Sequence, residues 1–262
     1  MVELPKYEVY AIKYATRDAK SSSYFHGFTD PHEDYTMTMD YFIWLLKSDE
    51  DTIVVDTGFN EIEAKKRNRT FLRCPISVLP KLGVDVESVS YVIITHMHYD
   101  HLGNANKFEN CQYIVQESEM AFWTGKYASR KEFLNHITPG DIVHLVQENF
   151  NGRVKFVNGS KEILPGITVH ETGGHSEGLQ VVEVFTDKGR VILASDVCHF
   201  YKNLREDRPS SIVTNLPKMY DAFDFVNDLA ESPDLIIPGH DPAVMEMFPA
   251  VSGLEDIVVK IA

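Results

Sequence analysis

The sequence predicts a layered α/β sandwich in one domain spanning residues 1–262. Three observations carry that expectation. Short apolar runs rich in β-branched residues recur along the chain, each ending at a polar or glycine-containing corner. Stretches with helical spacing lie between some of them without strict alternation. Finally, 44% of the 262 residues are hydrophobic, enough for a full core.

Taken in order, residues 7–15 and 36–46 read as strands. Between them, 21–34 is polar and turn-rich with embedded aromatics, the composition of a surface connection or of a lid over a substrate. Residues 52–55 form a strand that stops at Asp56-Thr57-Gly58, and 91–95 one that stops at a histidine cluster. Strands at 111–115, 153–157, 167–171, 179–185 and 190–194 follow, then 235–237 before Pro238-Gly239-His240. Helical periodicity is clearest where Leu216, Met219, Phe223, Val226 and Leu229 recur at three and four. Residues 118–123 and 129–136 carry weaker helical spacing, and Phe122, Trp123, Tyr127 and Phe133 read as the packing of that helical pair.

Charge excludes several function classes. Twenty-five Lys and Arg against 39 Asp and Glu leave a net charge of −14. Phosphate neutralisation supplies most nucleic-acid affinity, so no nucleic-acid partner is expected, and an anionic membrane surface is disfavoured. The longest apolar runs, such as residues 42–46, fall far below the ~18–20 residues of a membrane span. The opening Met-Val-Glu-Leu-Pro has an acid where an export signal needs a basic patch. A cytoplasmic location is the expectation. Cys74, Cys111 and Cys198 are widely spaced without Cys-x-x-Cys, so no disulfide framework is expected.

The chemistry concentrates in Thr95-His96-Met97-His98-Tyr99-Asp100-His101, which places four metal-binding side chains in six consecutive positions. In an extended segment His96 and His98 point to the same side. A turn then brings Asp100 and His101 round from another direction, which suggests two centres. Imidazole with carboxylate suits zinc, and also iron, manganese or cobalt. Three further donors each follow an apolar strand at a turn: His175 after Gly173-Gly174, Asp196 after Ala194-Ser195, and His240 after Pro238-Gly239. Singly, each is more often a cap than a ligand. Together they complete five histidines and two aspartates, the inventory of a dinuclear site with one shared carboxylate.

These residues resemble the metallo-β-lactamase superfamily, all five of whose motif regions have counterparts here. The counterparts are Val54-Val55-Asp56-Thr57-Gly58, the 95–101 segment, Gly174-His175-Ser176-Glu177-Gly178, Ala194-Ser195-Asp196 and Pro238-Gly239-His240. The resemblance implies a four-layer αβ/βα sandwich with two divalent metal ions, zinc first, at one edge. It implies that one ion takes His96, His98 and His175, that the other takes Asp100, His101 and His240, and that Asp196 bridges them. Asp56 is implied to orient the loop beneath the ions.

Within that superfamily the chain is most similar to the N-acyl-homoserine-lactone lactonases. That likeness implies opening of a small lactone or related carboxylic ester by a hydroxide bridging the two ions, with Asp100 passing the proton to the leaving alkoxide. Lactonases of this group carry a tyrosine three residues after the bridging aspartate, aimed at the substrate carbonyl oxygen. Here that position is His199, so His199 or the nearby Tyr201 is expected to serve instead. Cys198 reads as a buried thiol, because Asp196 fills the ligand position. Glyoxalase-II-type thioester hydrolases share the ligand set but add a C-terminal helical module, and 22 residues follow His240. A non-catalytic metal-stabilised protein is the other alternative, opposed by the intact ligand set. Monomer and homodimer are both compatible, and Phe25, Phe28, Tyr35, Trp123 and Tyr201 are the aromatic candidates for a pocket wall.

Overall fold

The computed structural model describes residues 4–27 and 29–262. The chain begins with β1 (Glu8–Lys20), β2 (Thr36–Lys47), β3 (Thr52–Val55), α1 (Glu61–Lys66) and β4 (Thr70–Phe71). It continues through β5 (Tyr91–Ile93), α2 (Tyr99–Leu102), β6 (Gln112–Gln116), α3 (Glu117–Trp123), α4 (Lys131–Leu134), α5 (Pro139–Phe150) and β7 (Val154–Val157). Then come β8 (Lys161–Leu164), β9 (Ile167–Glu171), β10 (Gln180–Thr186), β11 (Gly189–Ser195), α6 (Tyr201–Arg205), α7 (Leu216–Leu229), β12 (Ile236–Pro238), α8 (Ala243–Met247) and β13 (Val258–Lys260).

Two mixed sheets result. The first runs β13-β1-β2-β3-β5-β6-β7, with β4 also paired to β1. Its β3, β5, β6 and β7 are mutually parallel. The second runs β12-β11-β10-β9-β8, with β11 and β12 as its parallel pair. Side chains alternate across each strand, so a sheet covered on both faces needs apolar residues at every position. That is why β3 reads as an unbroken apolar run. Ile53 and Val55 join Trp44, Ile114, Val169, Val182 and Leu193 between the two sheets. Val54 instead faces Val92, Leu102, Trp123, Ile142 and Leu145 on the outer side of the first sheet. On the outer side of the second sheet, Val181, Ile192 and Ala194 pack against Met219, Ala222, Phe223 and Val226 of α7. The layers are helix, sheet, sheet, helix, and the predicted α/β sandwich is the architecture observed.

Differences from the sequence reading have local causes. β1 runs on to Lys20, past a register shift between Lys13 and Ala15, because its ladder with β2 continues to Lys20 opposite Thr36. β8 is missed since Lys161 and Glu162 are exposed on an edge strand that pairs with β9. β4 and β13 span two and three residues, too short for any periodicity to register. α1 follows a cap in which the Asn60 side chain accepts from Glu63 N, and α5 opens on Pro139 with Ile142 and Leu145 buried.

Candidate metal centre

Strand register gathers the donors at one sheet edge. In the parallel pair β3–β5, Val55 stands opposite Ile93, so Asp56 and the 94–101 segment emerge side by side. In β11–β12, Ser195 stands opposite Pro238, which places Asp196 beside Gly239 and His240. Gln180 fastens the two edges together: its N donates to Thr95 O at 2.9 Å and its Nε2 to Ile94 O at 2.7 Å. Asp56 (φ 61°) and Ser195 (φ 46°) leave their strands in the left-handed region. Strain of that kind concentrates at functional sites. His175 arrives on Gly173 and Gly174, at φ 66° and 89°. A Cβ on Gly174 would lie 2.8 Å from Met219 Cα, so that approach requires glycine.

Seven side chains converge there in two groups, His96-His98-His175-Asp196 and Asp100-His101-His240. In the first, His98 Nδ1 lies 3.0 Å from both His96 Nε2 and His175 Nε2, and His175 Nε2 lies 3.1 Å from Asp196 Oδ2. In the second, Asp100 Oδ2 is 3.8 Å from both His101 Nε2 and His240 Nε2. The other oxygen of Asp196, Oδ1, faces that second group, 3.4 Å from His101 Nε2 and 3.1 Å from His240 Nε2. One carboxylate therefore turns one oxygen to each cluster.

The donors fit divalent cations. Three ring nitrogens about one point repel through their lone pairs unless a proton or cation lies between them, and His98 Nδ1 can share one proton at most. Bonds of about 2.0–2.1 Å to a tetrahedral ion would set donors roughly 3.3 Å apart. His101 Nε2 and Asp196 Oδ1 are buried without a hydrogen-bond partner among the described residues. A buried polar atom left in that state is costly unless something else satisfies it.

Protonation follows the same layout. Burial and the neighbouring imidazoles hold His96 and His98 well below the usual range, hence neutral. Burial also lowers His101, but Asp196, Asp56 and Asp100 outweigh it and push that imidazole up to about 10. Asp56 is fully buried, accepts from Thr95 N and Thr95 Oγ1 at 2.8 Å, and holds His101 Nδ1 at 2.7 Å. It orients the ring whose Nε2 enters the cluster. Gly239 is equally constrained, because a Cβ there would stand 2.7 Å from Asp196 Oδ1 and 2.8 Å from Ser195 O. Gly239→Ala is expected to weaken metal affinity about 10–100-fold, read by competition against a chelator; unchanged affinity would show that Asp196 is free to shift.

The cluster opens into a cavity of about 280 Å³ whose wall includes His98, Asp100, Asp196, His199 and His240. His199 Nε2 lies 2.9 Å from Asp196 Oδ2. Burial pulls that imidazole down to about 4, so it is neutral. Tyr201 is a different case. Its ring packs between the sheets with Val244 and Ile237, its hydroxyl is buried without a hydrogen-bond partner among the described residues, and it is not part of the cavity wall. Of the aromatic candidates, Phe25, Tyr35 and Trp123 also lie off that wall, and Phe28 falls outside the described residues; Tyr24, Tyr41 and Tyr99 line it instead.

Sequence reasoning missed two supports. Glu119 is buried on α3 and accepts from Met97 N, Trp123 Nε1, Gly178 N and Ser176 Oγ, tying the 96–98 loop to the His175 loop. Burial pushes its carboxyl upward against those donors. Tyr14 donates from its hydroxyl to Asp100 O at 2.9 Å. Neither stands near a motif in sequence; the one available signal was an acid at 119 on the apolar side of a weakly helical stretch.

Known proteins resemble this chain in sequence and in fold. The family model described as "Metallo-beta-lactamase superfamily" matches residues 39–240. The chain is 29% identical over 181 residues to an N-acyl homoserine lactonase of Bacillus cereus, covering 63% of this chain and 67% of that one. It is 26% identical over 191 residues to the N-acyl homoserine lactonase AttM of Azorhizobium caulinodans, 69% of each. A crystal structure of a quorum-quenching N-acyl homoserine lactone lactonase superposes with a TM-score of 0.76 at 22% identity, covering 97% of this chain and 99% of that one. The dizinc lactonase AidC superposes at 0.71 with 20% identity, covering 92% and 90%. With the four layers, the donor-bearing strand ends and a family match from β2 through His240 all in agreement, the chain belongs to the metallo-β-lactamase superfamily.

Proposed function

We propose that residues 1–262 act as one hydrolase domain holding two divalent ions, zinc first, and opening a lactone or related carboxylic ester. The observation that carries this reading is the two-faced carboxylate of Asp196, each oxygen turned to a separate histidine cluster. Relatives named N-acyl homoserine lactonases support the substrate class. In this reading His96, His98 and His175 hold one ion, Asp100, His101 and His240 the other, and Asp196 both. When bound, such ions supply Lewis acidity at the ester carbonyl and bring the pKa of water to roughly 7.

The chain's own groups supply the rest. Water adds to the carbonyl carbon, the ring C–O bond breaks, and the alkoxide takes up a proton to leave a hydroxy acid. Asp100, at the junction of cluster and cavity, carries that proton to the leaving oxygen. His199 is neutral and donates its one N–H from Nε2 to Asp196, so it orients that carboxylate at the cavity wall.

The test combines metal analysis with hydrolysis of N-hexanoyl-homoserine lactone, a thioester and a phosphodiester. Two metals per chain and preferred opening of the lactone are expected. Fewer than one metal per chain, or activity confined to phosphodiesters, would overturn the proposal. His199→Phe is expected to lower turnover about 10–100-fold with metal content unchanged, through loss of the bond that orients Asp196; undiminished turnover would remove the role given to His199.

A further inference from the structure

In a chain of net charge −14, most basic side chains near an acid pair with one. Lys13 meets Asp40, Arg67 meets Glu63, and Lys218 meets Glu177. Two arginines on the wall of the metal-site cavity do not. Arg17 and Arg69 have no carboxylate within ion-pair distance among the described residues, although both line the cavity.

The backbone places them together. β4 pairs antiparallel with β1 so that Phe71 faces Ala15 and Thr70 faces Thr16. Arg17 follows Thr16 and Arg69 precedes Thr70, so both leave the same end of that two-residue ladder. Like charges on one wall repel each other, and here both line one cavity. The Arg17 guanidinium lies 5.3 Å from the centre of the Tyr24 ring and makes no hydrogen bond among the described residues. Arg69 spends Nε on Tyr99 Oη at 3.1 Å and Nη1 on Arg67 O at 2.6 Å, leaving Nη2 without a hydrogen bond among the described residues. Burial raises the Tyr24 phenol, and the charges of both arginines pull it back down, as expected for two cations near one hydroxyl. The acids on the same wall, Asp100 and Asp196, face the histidine clusters.

We infer that Arg17 and Arg69 form a clamp for a carboxylate, so that the substrate of this site is a lactone or ester carrying a carboxylate away from the bond that is cleaved. The clamp rests on the hydrolase reading for its scissile bond and on the paired arginines for its anion. A planar guanidinium matches a carboxylate edge, and a bond to a charged acceptor is about twice as strong as a neutral one. An anion between the two arginines also relieves their repulsion. The acidic exterior does not oppose this, because interaction between exposed charges is screened within about 10 Å at 0.1 M salt.

The experiment uses the metal-loaded full chain with N-succinyl- and N-adipoyl-homoserine lactone, each compared with its own terminal primary amide. At least one acid is expected to exceed its amide about 10–100-fold in kcat/KM. Arg17→Gln and Arg69→Gln should each shrink that ratio, and Arg17→Lys should restore part of it. Equal turnover of acid and amide, or a preference that survives in both glutamine variants, overturns the clamp. If no lactone is opened, the hydrolase reading fails on its own, and calorimetry with the same compounds still reads the clamp. Tighter binding of the acid that is lost in the variants upholds it, and equal binding of acid and amide overturns it. Arg17→Gln removes no side-chain hydrogen bond among the described residues, so it remains informative if Arg69→Gln loosens Tyr99.

Discussion

Asp196→Asn is expected to lower lactone turnover on the order of 10³-fold and to leave no more than one tightly held ion per chain. The side chain keeps its size, so the backbone has no reason to move. What changes is one donor atom. Asp196 Oδ2 lies 3.1 Å from His175 Nε2 in one cluster, and Oδ1 lies 3.1 Å from His240 Nε2 in the other. An amide presents an N–H on one of those sides, which repels a cation and cannot ligate it. Loss of the negative charge also unbalances five buried imidazoles. Metal analysis after dialysis, run beside the kinetics, is the measurement. A variant that retains two ions and near-normal turnover would show that the clusters bind independently and that Asp196 bridges nothing.

Glu119→Ala is expected to cost roughly 3–5 kcal/mol of stability and to weaken metal binding at the same time. The carboxylate is 1% exposed and accepts at 2.7 Å from Met97 N, 2.6 Å from Trp123 Nε1 and 2.8 Å from Gly178 N, with Ser176 Oγ as a fourth donor. Truncation strands all four in a dry site. Methionine 97 lies between His96 and His98, and Ser176 follows His175, so the same loss releases three ring positions. Glu119→Gln keeps the shape but turns an N–H toward donors, and an intermediate loss is expected. Chemical denaturation of the metal-loaded protein, with metal affinity on the same samples, checks both halves. A stability loss below about 1 kcal/mol would sink the idea that this acid holds the loops together.

The strand ends were legible because both faces of each sheet are covered, which writes the inner strands as unbroken apolar runs. Ile53-Val54-Val55 alternates between two cores yet never needs a polar residue. The donors were legible for a related reason: His96, His98, Asp100 and His101 are so dense in sequence that few structural roles explain them together. Tyr201 shows the limit. It sits two residues from His199, yet α6 begins there and turns the ring into the space between the sheets, while His199 stays on the cavity wall. Glu119 shows the complementary limit, since its partners Met97, Ser176 and Gly178 reach it only across the fold.

Residue chemistry and spacing alone pointed to the α/β layering, the donor inventory and the first two members of each donor set, because periodicity and ligand type are local properties; the allotment of His175, Asp196 and His240 came from the family resemblance. Net charge, read as a total, spoke only against nucleic acid and anionic membrane surfaces. Folding placed Arg17 and Arg69 at the same end of the β1–β4 ladder and on one cavity wall, although 51 residues lie between them in sequence. A sum over the chain carries no information about where charges meet, whereas strand register brings distant residues to one wall. Register likewise decided that Asp196 faces both clusters, that Asp56 reaches His101, and that Glu119 ties the loops.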